Sequence, residues 1–217
     1  MTEKVDFKKS LDSYQAPRGG FRIVTVPDMQ YLMVDGHGDP NTAPAYTEAL
    51  SALYPVAYKL KFISKREFDR DYVVPPLEGL WWAQDMDAFA ASRDKSRWDW
   101  TMMLMVPEWI DRAPFLSAVE QAGAKNAPAR LDDVHLETLS EGCCVQTLHH
   151  GPFDDEGPVL ERMHNEFIPS NGLRLDGKHH EIYFSDFRKV TPDKLRTILR
   201  QPASLPPPAQ SLLLRSA

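Results

Sequence analysis

The chain has 217 residues, of which 42% are hydrophobic and 26% charged, as expected of one large folded domain or two small fused modules. Its net charge of −6 disfavours a protein that follows the phosphates of nucleic acid. No apolar run approaches the roughly 20 residues that span a bilayer, and the first residues lack the apolar centre of a secretion signal. We therefore expect a cytoplasmic protein without nucleic-acid or membrane partners.

The first half of the chain is predicted to begin with an N-terminal arm over residues 1–20. A strand, a second strand, a helix and two further strands are expected to follow in that order, at residues 21–26, 31–35, 44–60, 73–83 and 98–106. Asn41 and Thr42 are suitable caps for the helix, and Pro44 fits its first turn.

The second half is predicted to repeat a similar order. We expect a helix, two strands, a helix, a strand and a short helix, at residues 107–122, 134–139, 143–148, 154–167, 180–185 and 191–199. The turn Ser140-Glu141-Gly142 predicts that the two adjacent strands form a hairpin. The neighbouring Cys143 and Cys144 are expected to be reduced structural thiols. Residues 201–217 contain four prolines and are predicted to form a flexible tail.

Both halves contain a strand, a glycine turn, a helix and two strands, which indicates an internal repeat. The predicted fold class is therefore α+β. Two strand–helix–strand–strand modules, at about 21–106 and 107–200, would form one domain around a pseudo-twofold axis. A central cleft at their junction would be a natural ligand pocket.

The run from His179 to Asp186 is predicted to be a strand that carries an ionisable carboxylate. Side chains alternate along a strand, so Glu181 and Tyr183 share one face, opposite Ile182 and Phe184. A carboxylate on a buried strand is unfavourable unless it is paired or binds a ligand. Either Glu181 forms an ion pair that holds the sheet and Tyr183 is a packing residue, or the two side chains line a pocket.

Aromatic and polar residues elsewhere are candidates for the walls of that pocket. Alternation sends Trp81 and Trp82 to opposite faces, and we expect Trp82 in the pocket. Trp100 and Met102 share a strand face and belong either to the pocket or to the core. One of His149 and His150 is a candidate for the edge of the cleft, and we take His150.

No metal site and no organic cofactor are expected. The pairs His149-His150 and His179-His180 lie on predicted strands, where neighbouring rings point apart. Cysteines and carboxylates at the usual spacing of zinc ligands are also lacking.

Four segments of the chain resemble the GyrI-like small-molecule-binding proteins, with similarity closest to the stand-alone branch and extending over about residues 15–202. These segments are YLMVDGHGDP at 31–40, PLEGLWW at 76–82, WDWTMM at 98–103 and HHEIYFSD at 179–186. The resemblance implies two fused modules around a central ligand cleft. It also implies relatives of two kinds. Some are effector-binding domains of multidrug-responsive transcription activators, in which a central carboxylate meets cationic aromatic drugs. Others are stand-alone hydrolases that open the cyclopropane ring of DNA-alkylating natural products of the yatakemycin and duocarmycin type.

Because no DNA-binding segment precedes the domain, we expect the hydrolase function, with a role in detoxification and drug resistance. Glu181 would activate water, and Tyr183 would orient the water or carboxylate or stabilise the developing phenolate. The partner would be a small aromatic molecule, and the protein a monomer or homodimer. The alternatives are a non-catalytic protein that binds or senses aromatic or cationic drugs, and a protein-interaction module such as a topoisomerase inhibitor.

Overall fold

The computed structural model describes residues 4–83 and 94–207. Within these ranges, a 9-stranded antiparallel sheet dominates an α+β fold. The strands are β1 Arg22–Val26, β2 Met29–His37, β3 Leu77–Trp82, β4 Asp99–Val106, β5 His135–Leu139, β6 Gly142–His150, β7 Arg174–Leu175, β8 His179–Tyr183 and β9 Arg196–Ser204.

Five α-helices accompany the sheet within the described residues, and α2 is the longest. They are α1 Phe7–Ser10, α2 Pro44–Glu67, α3 Arg112–Gly123, α4 Gly157–Arg162 and α5 Ile168–Ser170, with a π-helical turn at Met163–Phe167 between the last two. Within the described residues, no helix combines the length and the apolar character needed to cross a membrane.

The sheet order is β1-β6-β9-β8-β3-β4-β2-β5, with β7 paired to β9. Strands β2, β4 and β3 form one group of neighbours, and β6, β9 and β8 form another. The two groups meet where β3 pairs with β8, with Gly79 opposite Glu181. This junction places the carboxylate of Glu181 near the middle of the sheet.

The hairpin predicted at residues 134–148 is wrong. Strand β5 pairs with β2, whereas β6 pairs with β1 and β9. The pairing register continues across the two-residue gaps between β1 and β2 and between β5 and β6, since Val26 lies opposite Gly142 and Met29 lies opposite Leu139. Residues 140–141 thus form a bend in one long strand, β5–β6, which pairs with a second long strand, β1–β2. The sheet therefore curls until its two edge strands, β1 and β5, belong to this same pair of long strands.

The curled sheet encloses a buried network of charged and phenolic groups. Tyr14 donates to Glu78 over 2.5 Å, and the other oxygen of Glu78 lies 2.9 Å from His180 Nε2. His180 Nδ1 lies 2.9 Å from Glu141, to which Arg200 also donates over 2.8 Å. The pairing of Glu141 inside the sheet explains why the chain bends inward there instead of forming a surface turn.

Helix α2 packs its apolar side against β2 and β4. Trp100 lies fully buried beneath it and approaches Gly36 so closely that a Cβ at position 36 would overlap the indole ring. The Trp100 indole also donates to the carbonyl of Gly38 over 3.1 Å. This tryptophan therefore belongs to the core between the helix and the sheet.

Three predictions near the ends of the chain differ from the structure. Residues 4–20 of the predicted arm pack against the sheet, with Tyr14 only 1% exposed. The predicted helix over 191–199 is a single 3₁₀ turn at Pro192–Lys194 followed by β9. Ile198 and Leu199 are buried on opposite faces, which requires a strand rather than a helix. Residues 201–204 of the predicted tail lie in β9, and residues 208–217 lie outside the described chain.

Candidate functional site

A cavity, here called cavity A, opens on the α2 side of the junction between β3 and β8. Its volume is about 120 Å³. The lining side chains are mostly aromatic, with two carboxylates and one lysine: Pro40, Asn41, Tyr46, Trp81, Lys95, Trp98, Phe153, Glu156, Glu181, Tyr183 and Phe187. An aromatic lining with a few convergent polar groups is typical of a site for a small flat molecule.

Three polar side chains form a chain of hydrogen bonds along one wall of cavity A. The Trp81 indole donates to the Tyr183 hydroxyl over 2.9 Å, and that hydroxyl donates to Glu181 Oε2 over 2.7 Å. Glu181 and Tyr183 lie on the same face of β8, as the alternation predicts, while Ile182 is buried on the other face. Glu181 thus has one oxygen fixed by a phenol, and its side chain is 12% exposed.

The phenols of cavity A remain protonated at neutral pH. Burial, reinforced by the Glu181 carboxylate, raises the pKa of Tyr183 well above its usual value. Burial and the same carboxylate also raise the pKa of Tyr46. Both hydroxyl groups are therefore available as hydrogen-bond donors rather than as phenolates.

Two histidines lie behind the second oxygen of Glu181. His179 Nε2 is 3.6 Å from Glu181 Oε1, and its ring is 6.4 Å from that of His164 in an edge-to-face arrangement. Burial and the neighbouring His179 lower the pKa of His164 to about 4, so this ring is neutral at pH 7. The environment of Glu181 therefore includes a buried imidazole on one side and a phenol on the other.

Cavity A contains two carboxylates and one ammonium group. Glu156 is only 2% exposed and precedes α4. Lys95 Nζ binds Asp154 over 2.9 Å and lies 5.9 Å from the centre of the Trp98 ring. Lys95 is thus paired with Asp154, and the described lining combines acidic, basic and aromatic side chains.

The structure differs from the prediction of which tryptophan, Trp81 or Trp82, lines the pocket. Trp81, rather than Trp82, faces cavity A, because Trp81 pairs across the strands with His179, on the face that carries Glu181. Trp82 points to the opposite face, where Lys178 Nζ lies 3.4 Å from the centre of its ring. The alternation of the strand was predicted, but which tryptophan faces the helix depends on the register with β8.

Three other predicted binding residues lie outside the lining of cavity A. Trp100 and Met102 are fully buried in the core, where the ring of Tyr46 lies 5.5 Å from that of Trp100. They support the wall from behind. His150 lies on β6 opposite Arg196, away from the cavity.

Several lining residues have no clear signal in the sequence. Tyr46, Phe187 and Trp98 are brought to the site by tertiary packing. Glu156 follows Asp154 and Asp155, so the three acids together indicate only the start of a helix. Within residues 4–83 and 94–207, no cluster of three or more metal-binding side chains occurs.

Comparisons with known proteins agree with this architecture. An uncharacterized conserved protein from Listeria innocua has a crystal structure that is similar over 93% of this chain and 100% of its own, with 40% identity and a TM-score of 0.84. A hydrolase from Listeria innocua is similar over the same shares, with 39% identity and a TM-score of 0.81.

More distant similarity extends to the C-terminal domain of EcmrR. It covers 86% of this chain and 98% of that domain, with a TM-score of 0.54, but the identity of 10% indicates a common fold alone. No curated protein sequence matches the chain significantly. The model of the GyrI-like small molecule binding domain matches residues 20–202, so the resemblance noted in the sequence is confirmed and the chain belongs to the GyrI-like family.

Proposed function

We propose that this protein is a cofactor-free hydrolase that opens the cyclopropane ring of spirocyclopropyl aromatic electrophiles. The observation that carries the proposal is the position of Glu181 within an aromatic cavity, where the Tyr183 hydroxyl donates to Oε2 over 2.7 Å. A carboxylate held in this way is suited to remove a proton from a water molecule bound beside it.

The proposed reaction adds one water molecule to the substrate. The water oxygen forms a bond to a CH₂ carbon of the cyclopropane while Glu181 takes a water proton. The carbon–carbon bond to the spiro centre breaks, and its electron pair passes through the dienone to the carbonyl oxygen, which becomes a phenolate. Return of the proton to that oxygen gives a hydroxyalkyl phenol and restores the Glu181 carboxylate.

The neighbouring side chains support this step by orientation and charge. Tyr183 holds Glu181 in place, and its own orientation is set by the indole of Trp81. The Tyr46 phenol and the Lys95 ammonium line the same cavity and supply donors for the developing phenolate. Similarity to a hydrolase of Listeria innocua at 39% identity supports hydrolytic chemistry, without indicating its substrate.

The second candidate function is reversible binding of cationic aromatic molecules without chemistry. The observation that favours it is the pair of carboxylates, Glu156 and Glu181, among the aromatic side chains of cavity A. Aromatic faces and carboxylates both attract cations. In this case the hydrogen bond from Tyr183 would position Glu181 for recognition only.

We also propose that the two halves of the domain are modules related by a pseudo-twofold axis. The element order supports this: strand, helix, strand and strand occur as β2, α2, β3 and β4, and again as β6, α4, β8 and β9. The pairing of β3 with β8 would then lie at the axis, with cavity A beside it.

The test is consumption of a spirocyclopropyl cyclohexadienone by the wild type, Glu181→Gln and the exposed control Glu137→Gln. We expect the wild type and Glu137→Gln to form a product heavier by one water, and Glu181→Gln to lose at least about 100-fold in rate, the usual minimum for a general base. Saturable quenching of tryptophan fluorescence without product in any protein would instead favour the binding function.

A further inference from the structure

Helices α2 and α3 carry three exposed large apolar side chains, here called the helical patch. Tyr58 and Phe62 are 49% and 53% exposed, and they share one face of α2 because they lie one turn apart. Leu116 on α3 is 52% exposed, although Phe115 and Ala118 of the same helix are buried in the core. Single exposed apolar residues are ordinary, whereas a contiguous group of them is typical of an interaction surface.

The two helices lie side by side and run in opposite directions. Just before α3, the indole of Trp109 donates to the hydroxyl of Ser64 near the end of α2, over 2.9 Å. Beyond α3, Arg130 donates to the carbonyl of Ala45 near the start of α2, over 3.4 Å. Leu116, in the second turn of α3, is therefore level with the two exposed aromatic residues in the second half of α2, and the helical patch is contiguous.

Charged side chains of opposite sign flank the helical patch at its two ends. Glu48 on α2 and Glu120 on α3 lie towards the end where α2 begins. Arg66 and Arg112 lie towards the end where α2 finishes. Within the part of the chain that the structure describes, these four side chains take part in no salt bridge. One end of the surface is thus acidic and the other basic, with the apolar residues between them.

The other charged groups of α2 leave this polarity intact. Lys65 already lies 3.4 Å from Asp71, so its charge is partly compensated. Glu67 follows the buried Ile63 by four residues and therefore lies on the packed side of the helix. Lys59 is half-buried beside the helical patch, and its long side chain can keep the ammonium group in solvent.

This order of charges makes the surface complementary to a copy of itself. A twofold axis through the helical patch places α2 antiparallel to α2 of the second copy, so the acidic end of each chain faces the basic end of the other. Glu48 and Arg66 are about 27 Å apart along the helix axis, and the midpoint between them lies beside Tyr58. The same axis therefore brings the apolar residues of the two copies together.

The size of the surface also suits a dimer. Helix α2 has 24 residues and is about 36 Å long. An interface of ordinary size buries about 800 Å² per partner, which is a patch roughly 32 Å across. An apolar centre with charged groups at the rim is the usual arrangement within such an interface.

We propose that the helical patch is the contact surface of a homodimer, in which α2 and α3 of two copies pack as four helices around a twofold axis. Glu48 of each copy then lies opposite Arg66 of the other. None of the patch residues or of the four flanking charged residues lines cavity A. The dimer is therefore independent of the proposed function.

The first test is sedimentation equilibrium of the full chain over a range of concentrations. The variant Phe62→Glu places a charge at the centre of the contact, and Ile23→Glu places one at an exposed apolar position on β1 as the control. We expect the wild type and Ile23→Glu to dimerise with similar dissociation constants. Phe62→Glu should raise that constant at least about 100-fold, because the new carboxylates of both copies would be buried in an apolar contact.

The second test reverses the flanking charges. We expect Glu48→Lys and Arg66→Glu each to raise the dissociation constant of the dimer about fivefold, since each variant alters two ion pairs in the dimer. The double variant Glu48→Lys/Arg66→Glu should return to within about twofold of the wild type, because the pairs form again with their signs exchanged. Far-UV circular dichroism and thermal unfolding show that each variant is folded.

A wild type that stays monomeric at every concentration overturns the proposal. So does a dimer whose dissociation constant is unchanged in Phe62→Glu, since the contact would then lie elsewhere. A double charge variant that is no tighter than the two single ones contradicts the antiparallel arrangement of the helices.

Discussion

At the scale of single residues, Tyr183 is the centre of the candidate site. Its hydroxyl accepts from Trp81 and donates to Glu181, and its side chain lines cavity A. The sequence predicted that Glu181 and Tyr183 share a face, because alternation along a strand is a local property. The face of the sheet on which Trp81 lies depends on the pairing of β3 with β8. No local sequence pattern determines that pairing.

Replacement of Trp81 and Trp82 by phenylalanine tests this assignment. We expect Trp81→Phe to reduce turnover of a spirocyclopropyl cyclohexadienone about fivefold, because the Tyr183 hydroxyl loses the indole donor, and one hydrogen bond contributes about 1 kcal/mol. Trp82→Phe should change turnover by less than about twofold, since its ring lies on the opposite face under Lys178. The measurement is steady-state turnover of both variants and the wild type. A larger effect at position 82 would contradict the geometry.

At the scale of elements, helix α2 and strand β4 were predicted with useful accuracy. The apolar spacing of α2 is strongly helical, although the helix continues to Glu67, beyond the expected end. Strand β9 was missed, because Thr191 and Pro192 are typical of a helix start, and here they begin only a single 3₁₀ turn. Ile198 and Leu199 pack in two different buried clusters, and this arrangement favours a strand. The other members of these clusters come from distant parts of the chain.

The packing of α2 over the sheet depends on the contact between Gly36 and Trp100. We expect Gly36→Ala to lower the free energy of unfolding by about 1–3 kcal/mol, the usual effect of overpacking a core. The added Cβ would overlap the buried indole, which cannot move away. Urea denaturation measures the change. Gly20→Ala is the control, because a Cβ there meets nothing within 4 Å. Equal stability of both variants would show that Trp100 is not packed as described.

At the scale of the whole molecule, the curled sheet is closed around the network of Glu78, His180, Glu141 and Arg200. Burial disfavours charge on His180, but the carboxylates of Glu141 and Glu78 outweigh it and raise its pKa. Burial alone would likewise raise the pKa of Glu141, yet His180 and Arg200 hold it at about 2. None of these partners is near another in sequence, so the network was not predicted.

The network predicts how stability depends on pH. The contribution of Glu141 is complete above its ordinary pKa of 4.5 and is lost as the pH falls towards about 2. The contribution of His180 is complete below its ordinary pKa of 6.5 and is lost as the pH rises through its raised value. Both contributions are therefore complete between these two values. Thermal unfolding across pH should show a maximum there, and His180→Gln should flatten the decline on its alkaline side. An unchanged decline in the variant would contradict this account.

In the proposed reaction, Glu181 acts as a base towards water. The most direct measurement is a single turnover of a spirocyclopropyl cyclohexadienone in H₂¹⁸O, with mass analysis of the product and of the protein. We predict that the new hydroxyl group of the product carries ¹⁸O and that Glu181 remains unlabelled. An unlabelled product, with ¹⁸O in the Glu181 carboxylate, would show direct attack by the carboxylate and would contradict the account.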